Sequence, residues 1–126
     1  MTSLLNFTPL STNPQYYASI LSIDSLKILL DCGLNNEKDI EELQKIAPQI
    51  ALCLITHPTV QHTNAIQYLN CPVYATTPTK ILAKIANEQQ KGREAKEEKK
   101  KRREAFERIV AVKFEQIIEF VGGKLN

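Results

Sequence analysis

The sequence predicts an α/β fold in which an antiparallel meander leads into strand–helix–strand units, and three observations carry that reading. Three short apolar segments rich in strand formers, residues 4–10, 16–23 and 26–30, follow one another across turn-type sequences. Two nearly all-apolar runs, residues 50–55 and 73–75, have the character of strands buried on both faces. Around these runs, apolar residues recur at helical steps. A chain of 126 residues is about one domain's worth.

Ser11-Thr12-Asn13-Pro14 and Asp24-Ser25 separate the first three segments, and connections that short predict antiparallel pairing. Asp31-Cys32-Gly33 ends the third strand, with Gly33 expected to supply a turn conformation closed to other residues. Asn35-Asn36-Glu37 offers a helix start, and Ile40, Leu43 and Ile46 then recur until Pro48. After the strand at residues 50–55, a second helix is predicted from about His62 to Leu69, followed by the strand at 73–75. This alternation implies parallel strands joined by right-handed crossovers. A third helix is expected after Thr76, with Thr77 as its cap, Pro78 in its first turn, and Ile81, Leu82 and Ile85 as its apolar face.

From Asn87 to Arg103 almost no apolar residue occurs, and the pairs Glu94/Glu98 and Lys96/Lys100 set like charges at i,i+4. The stretch reads as a solvated helix or a disordered insertion. Residues 88–108 hold nine Lys/Arg and six Glu, net +3, so the formal charge of +2 hides a near-neutral body and one basic arm. Phe106, Ile109 and Val110 bring the chain back to the body. Residues 114–121 read as a strand, Gly122-Gly123 as a turn and 124–126 as a strand just begun, which suggests a piece of something longer. The organisation expected is therefore residues 1–86 as the body, 87–103 as a charged insertion, and 104–126 as a return helix with the start of a hairpin.

Several function classes are excluded or made improbable by composition. Residues 1–10 lack the basic flank of a secretory leader and are interrupted by Pro9. No apolar run approaches membrane-spanning length. Cys32, Cys53 and Cys71 are odd in number and lack C-x-x-C spacing, so they read as small apolar core residues in a reducing compartment, cytosol or nucleus.

Chemistry is expected where the apolar run 50–55 breaks on His57, with His62 five residues on at the start of a helix. That places both imidazoles at the carboxyl edge of the sheet, the usual ligand position of open α/β folds. A strand followed by His-x-His-x-Asp-His is the main zinc-binding signature of the metallo-β-lactamase superfamily, and this loop resembles it in degenerate form: His57 and His62 match, while Thr59 and Gln61 stand at the His and Asp positions. Leu29-Leu30-Asp31-Cys32-Gly33 resembles the first motif of that superfamily, whose aspartate lies beneath the metals. Val73-Tyr74-Ala75-Thr76-Thr77-Pro78-Thr79 resembles the following strand and helix start of its RNA-processing branch. Together with Met1-Thr2-Ser3, these motifs resemble the family of subunit 2 of cleavage and polyadenylation specificity factor, the catalytically inactive metallo-β-lactamase/β-CASP subunits. The inactive subunit of the Integrator complex shares Leu-Asp-Cys-Gly, but its zinc loop is less similar.

That resemblance, over about residues 1–86 and 104–125, implies the amino-terminal part of an αββα sandwich with a charged helical insertion. It also implies a non-catalytic scaffold in nuclear pre-mRNA 3′-end processing. Its implied partners are an active endonuclease paralogue and other subunits of the complex, and RNA is a further candidate. The degenerate metal-loop positions are then Asp31, His57, Thr59, Gln61 and His62, with no catalytic residue, metal or cofactor expected. The chemistry points the same way independently. A threonine hydroxyl is a poor zinc ligand and an amide brings no charge, whereas catalytic zinc takes about three protein ligands and an open position. The alternative is a fragment of a zinc-dependent RNA hydrolase whose other ligands lie beyond Asn126; a plain α/β domain with a basic interaction arm is a third. Within the arm, Lys99, Lys100, Lys101, Arg102 and Arg103 are the candidate phosphate contacts, weighed against the reading of such runs as solvated linkers.

Overall fold

The computed structural model describes residues 4–88, 96–113, 118–120 and 123–125, the last two segments as backbone only. Three strands, β1 (Leu5–Pro9), β2 (Ser19–Ile23) and β3 (Leu26–Leu30), form the antiparallel meander. The chain then runs through α1 (Glu37–Ile46), a 3-10 turn (Ala47–Gln49) and β4 (Leu52–Leu54). Next come α2 (Val60–Thr63), a second 3-10 turn (Ile66–Tyr68), β5 (Val73–Thr76) and α3 (Thr77–Glu88). Beyond these lie α4 (Lys96–Glu107) and β6 (Val110–Val112), then a separate antiparallel pair, β7 (Ile118–Phe120) and β8 (Gly123–Leu125). The six-stranded sheet keeps chain order, β1-β2-β3-β4-β5-β6, and is parallel from β3 onward.

Register and burial divide the sheet into two unlike faces. Ile20 pairs with Leu29, Leu29 with Cys53, and Cys53 with Val73, so these side chains share one face. They form a single core with Leu43 of α1, Ala83 of α3, and Ala105 and Phe106 of α4. The helices therefore cover that face. On the other face Leu5 pairs with Ile23, Phe7 with Leu21, Leu21 with Ile28, and Ile28 with Leu52. Ile28 and Leu52 are fully buried yet stand outside the helix-backed core, while Leu5 and Phe7 are exposed.

Local chemistry explains most elements. Asn36 caps α1 by accepting the Asp39 N–H at 2.8 Å, and Glu37 and Asp39 sit in the first turn where the helix dipole favours acids. Pro48 stops that helix in a 3-10 turn. Four expectations are corrected. Gly33 serves close approach instead of a special backbone angle, because a Cβ there would land on the Gln61 carbonyl. The left-handed residue at the strand end is Asp31, with φ of 60°. The helix expected over residues 62–69 is two short turns parted at Asn64-Ala65, since Asn64 uses its side chain to bridge the N–H and C=O of Leu34.

The fourth correction concerns α3. It starts at Thr77, preceded by Thr76, whose hydroxyl donates to Thr79 Oγ1 at 2.9 Å. Its buried positions are Ala83 and Asn87, while Ile81, Leu82 and Ile85 are 53%, 52% and 45% exposed. A small side chain permits close helix–sheet approach where a branched one would collide. The charged stretch is helical over residues 96–107 and docks through Ala105 and Phe106. The strand β6 pairs with β5 in a segment whose apolar residues were expected only to return the chain to the body. Residues 114–117 and Gly122, part of the expected final hairpin, lie outside the described residues.

Candidate metal-loop site

Two parallel strand ends build the site. The chain leaves β3 at Asp31, whose N–H donates to the Leu54 carbonyl at 2.8 Å, so Asp31 lies beside the end of β4. Two residues past the end of β4, Thr56 turns both of its donors onto the Asp31 carboxylate, the N–H to Oδ1 at 2.8 Å and the hydroxyl to Oδ2 at 2.7 Å. Asp31 is buried, and both oxygens are satisfied as a buried carboxylate requires. The metal-loop segment is further bound to the 31–34 turn through its backbone: Cys32 N–H to His62 O at 2.7 Å, Ala65 N–H to Cys32 O at 2.9 Å. Tyr17 joins both pieces, donating its N–H to Gln61 O and accepting the Gly33 N–H, each at 2.9 Å.

This frame sets the imidazoles. Because the one proton of the Thr56 hydroxyl points to Asp31, its 2.8 Å contact with His57 Nδ1 has threonine as acceptor and the ring N–H as donor. The proton of a neutral His57 therefore sits on Nδ1, and Nε2 keeps its lone pair. His62 lies 4.6 Å from His57 between ring centroids and stacks on Tyr17 at 4.3 Å with a 9° interplanar angle. Burial lowers the pKa of His62, His57 adds to the lowering, and the Asp31 carboxylate opposes both without overcoming them. His62 is thus neutral at pH 7. The Thr59 hydroxyl meets His62 Nδ1 at 2.6 Å.

Asp31, His57 and His62 bring one ligand atom each within 4.8 Å of one another. The other two loop positions have different roles: Thr59 braces His62, and the exposed Gln61 works through its main-chain carbonyl. Zinc is the metal the loop pattern implies, and among the described residues Asp31, His57 and His62 are the candidate donors. They offer two imidazoles and a carboxylate whose oxygens each accept one hydrogen bond from Thr56, where catalytic zinc takes about three protein ligands and an open position. Gln61, expected at the aspartate position of the loop pattern, carries a neutral amide that brings no charge.

Sequence reasoning missed a buried polar connection behind the loop. Asn87 of α3 donates to Thr63 Oγ1 at 2.8 Å, and the Thr63 hydroxyl donates to Thr59 O at 2.8 Å, so α3 is tied to the loop through two side chains. Asn64 and Tyr17 were missed too. Only a polar residue in an otherwise apolar helix stripe, such as Asn87, could have signalled this. Burial pushes the Cys71 thiol up to about 11 and raises the thiols of Cys32 and Cys53 above their ordinary value, which disfavours the reactive thiolate.

The basic run is split between two surfaces. Lys99, Arg102 and Arg103 line a cleft against Lys84 of α3, whereas Lys101 places its Nζ 5.8 Å from the Tyr68 ring centroid on another side of α4. Lys100 is exposed.

Residues 20–125 match the Metallo-beta-lactamase superfamily domain. The chain belongs to the metallo-β-lactamase superfamily. Among curated members, it is 37% identical over 91 residues to a probable cleavage and polyadenylation specificity factor subunit 2 of Drosophila melanogaster, covering 62% of this chain and 12% of that protein. It is 36% identical over 95 residues to the cleavage and polyadenylation specificity factor subunit 2 of Arabidopsis thaliana, covering 65% of this chain and 13% of that protein. A probable subunit 2 of Caenorhabditis elegans is 38% identical over 68 residues, 47% of this chain and 8% of that protein. The chain thus spans about one eighth or less of the length of these relatives. No helix among the described residues is long and apolar enough to cross a membrane.

Proposed function

We propose that this metallo-β-lactamase unit is a non-catalytic scaffold within the nuclear pre-mRNA 3′-end cleavage and polyadenylation complex, pairing with an active endonuclease paralogue and other subunits. The likeness to proteins named cleavage and polyadenylation specificity factor subunit 2 supports the complex. The observation that carries the non-catalytic reading is the self-satisfied loop. Both Asp31 oxygens accept hydrogen bonds from Thr56, and Thr59 Oγ1 is engaged with His62 Nδ1, so polar groups at the degenerate metal positions serve to hold the loop's shape. Without a bound Lewis acid, nothing described here lowers the pKa of a water enough to attack a phosphodiester. What the loop does chemically is structural: it fixes the ends of β3 and β4 and the start of α2.

The clustering of Asp31, His57 and His62 supports a second reading, part of a zinc-dependent RNA hydrolase. Zinc analysis of the purified chain and an RNA cleavage assay separate the two. Substoichiometric zinc and no cleavage are expected. Stoichiometric zinc with cleavage abolished by His57→Ala would establish the hydrolase.

A further inference from the structure

We propose that the outer edge of β1 pairs antiparallel with β1 of a second copy of this chain, continuing one sheet into the other across a two-fold axis at Phe7. β1 is the end strand of the six-stranded sheet, and all five of its residues are exposed, Asn6 and Thr8 on the helix side included. Among the described residues, no helix therefore shelters the strand on either face. Edge strands are normally guarded by charged side chains, and Leu5-Asn6-Phe7-Thr8-Pro9 carries none. Instead Leu5 and Phe7 are 68% and 57% exposed.

The register fixes which backbone groups point outward. Leu10 donates its N–H to Ala18 O and Leu4 O accepts the Asp24 N–H, each at 2.8 Å, so the even-numbered residues are those bonded to β2. Leu5, Phe7 and Pro9 turn their main-chain groups away from it, and Pro9 has no N–H to offer. An axis at Phe7 sets Phe7 opposite its own counterpart and Leu5 opposite the counterpart of Pro9. Both outward N–H groups then meet carbonyls, Phe7 reciprocally and Leu5 at Pro9, while the missing N–H of Pro9 falls where only the Leu5 carbonyl faces it. The edge is thus its own complement. The side chains agree, because Leu5, Phe7 and Pro9 share the face away from the helices and would meet as cross-strand apolar pairs. At the other edge β6 has three residues, and joining it to β1 of the next copy would be head-to-tail and open-ended, whereas the β1 pair closes on itself. Five residues a side fall well short of the roughly 800 Å² per partner of a stable interface, so the pairing is weak and concentration-dependent. None of this depends on the chemistry of the metal loop.

The test is amide hydrogen exchange of the 126-residue chain at low and high concentration, beside sedimentation of the same samples. The Leu5 and Phe7 amides should exchange about tenfold more slowly once about nine-tenths of the chain is paired, while Asn6 and Thr8, already bonded to β2, keep their rates. Cysteine cross-linking then reads the register. Phe7→Cys sets paired Cα atoms about 5.5 Å apart, inside disulfide range, whereas Leu5→Cys leaves them about 13 Å apart along the strands. On oxidation Phe7→Cys should form a disulfide dimer at least about tenfold faster than Leu5→Cys, with the parent chain and its half-buried Cys71 setting the background. Three results overturn the proposal: a chain that stays monomeric at every concentration, self-association that leaves exchange at Leu5 and Phe7 unchanged, or equal cross-linking by the two cysteine variants. Protection confined to β6 would move the contact to the opposite edge and overturn it as well.

Discussion

Asp31 carries two constraints that substitution can separate. Its backbone is left-handed, with φ of 60°, and its carboxylate accepts both Thr56 donors. Asparagine tolerates that backbone region well, so Asp31→Asn isolates the hydrogen bonds. It should destabilise by about 1–3 kcal/mol, because the amide has one acceptor where two are needed. Asp31→Ala should cost about 1–2 kcal/mol more from backbone strain. Urea unfolding with an unchanged m-value reads both, and equal costs for the two variants would show that the backbone contributes nothing.

Asp39 gives the pH dependence at the same scale. Burial raises its pKa, but the Thr12 N–H and hydroxyl, the Asn36 amide and Lys38 together bring it below the ordinary 3.8. A depressed carboxylate pKa contributes stability that is present above the unfolded value and lost as pH falls through the folded one. Stability should therefore drop below about pH 4, and Asp39→Asn should flatten that limb of a stability–pH profile. Sequence placed a helix start at Asn35-Asn36-Glu37 and paired His57 with His62, Asp31 joining them by resemblance; it concealed Thr12 on Asp39, because a contact 27 residues apart leaves no local trace.

Among elements, α3 shows where periodicity misleads. Ile81, Leu82 and Ile85 make the most apolar stripe of the helix, yet the face against the sheet is Ala83 and Asn87. The double variant Ile81→Ser, Ile85→Ser should change unfolding free energy by no more than about 0.5 kcal/mol, as surface substitutions do. Ala83→Leu should cost about 1–3 kcal/mol by overpacking a site with no free volume. Thermal and denaturant unfolding of the two variants check the contrast, and the reverse ranking would place the helix the other way round. The α2 region differs for another reason. Asn64 finds the Leu34 backbone 30 residues away, and that partner outcompetes continuation of the helix.

For the whole molecule, the decisive feature is the sheet with helices on one face. Leu5, Phe7 and Val110 are exposed apolar residues on the other face, at the two edges of the sheet, while Ile28 and Leu52 between them are buried. Surfaces of that kind drive association. The isolated chain should self-associate at micromolar concentration, seen as a concentration-dependent sedimentation coefficient. Leu5→Lys with Phe7→Lys should restore the monomer without changing its circular dichroism spectrum. A monomeric parent chain would remove the argument.

The strands of the meander and at 50–55 and 73–75, the change from antiparallel to parallel pairing, and the placement of His57 and His62 at one edge were readable from residues alone, whereas Asp31 joined them through its motif's resemblance and β6 went unread. Runs of apolar strand formers, short turns and a histidine at a strand end are local signals, and backbone geometry converts them directly into topology. Tertiary structure alone decided what each polar group does. Thr56 satisfies Asp31, Thr59 braces His62, Asn87 reaches Thr63, and Lys99, Arg102 and Arg103 part company with Lys101, because each assignment depends on which atoms meet across elements distant in sequence. A hydrogen bond or a shared cleft is set by ångström-scale proximity, and no pattern along the chain encodes that distance.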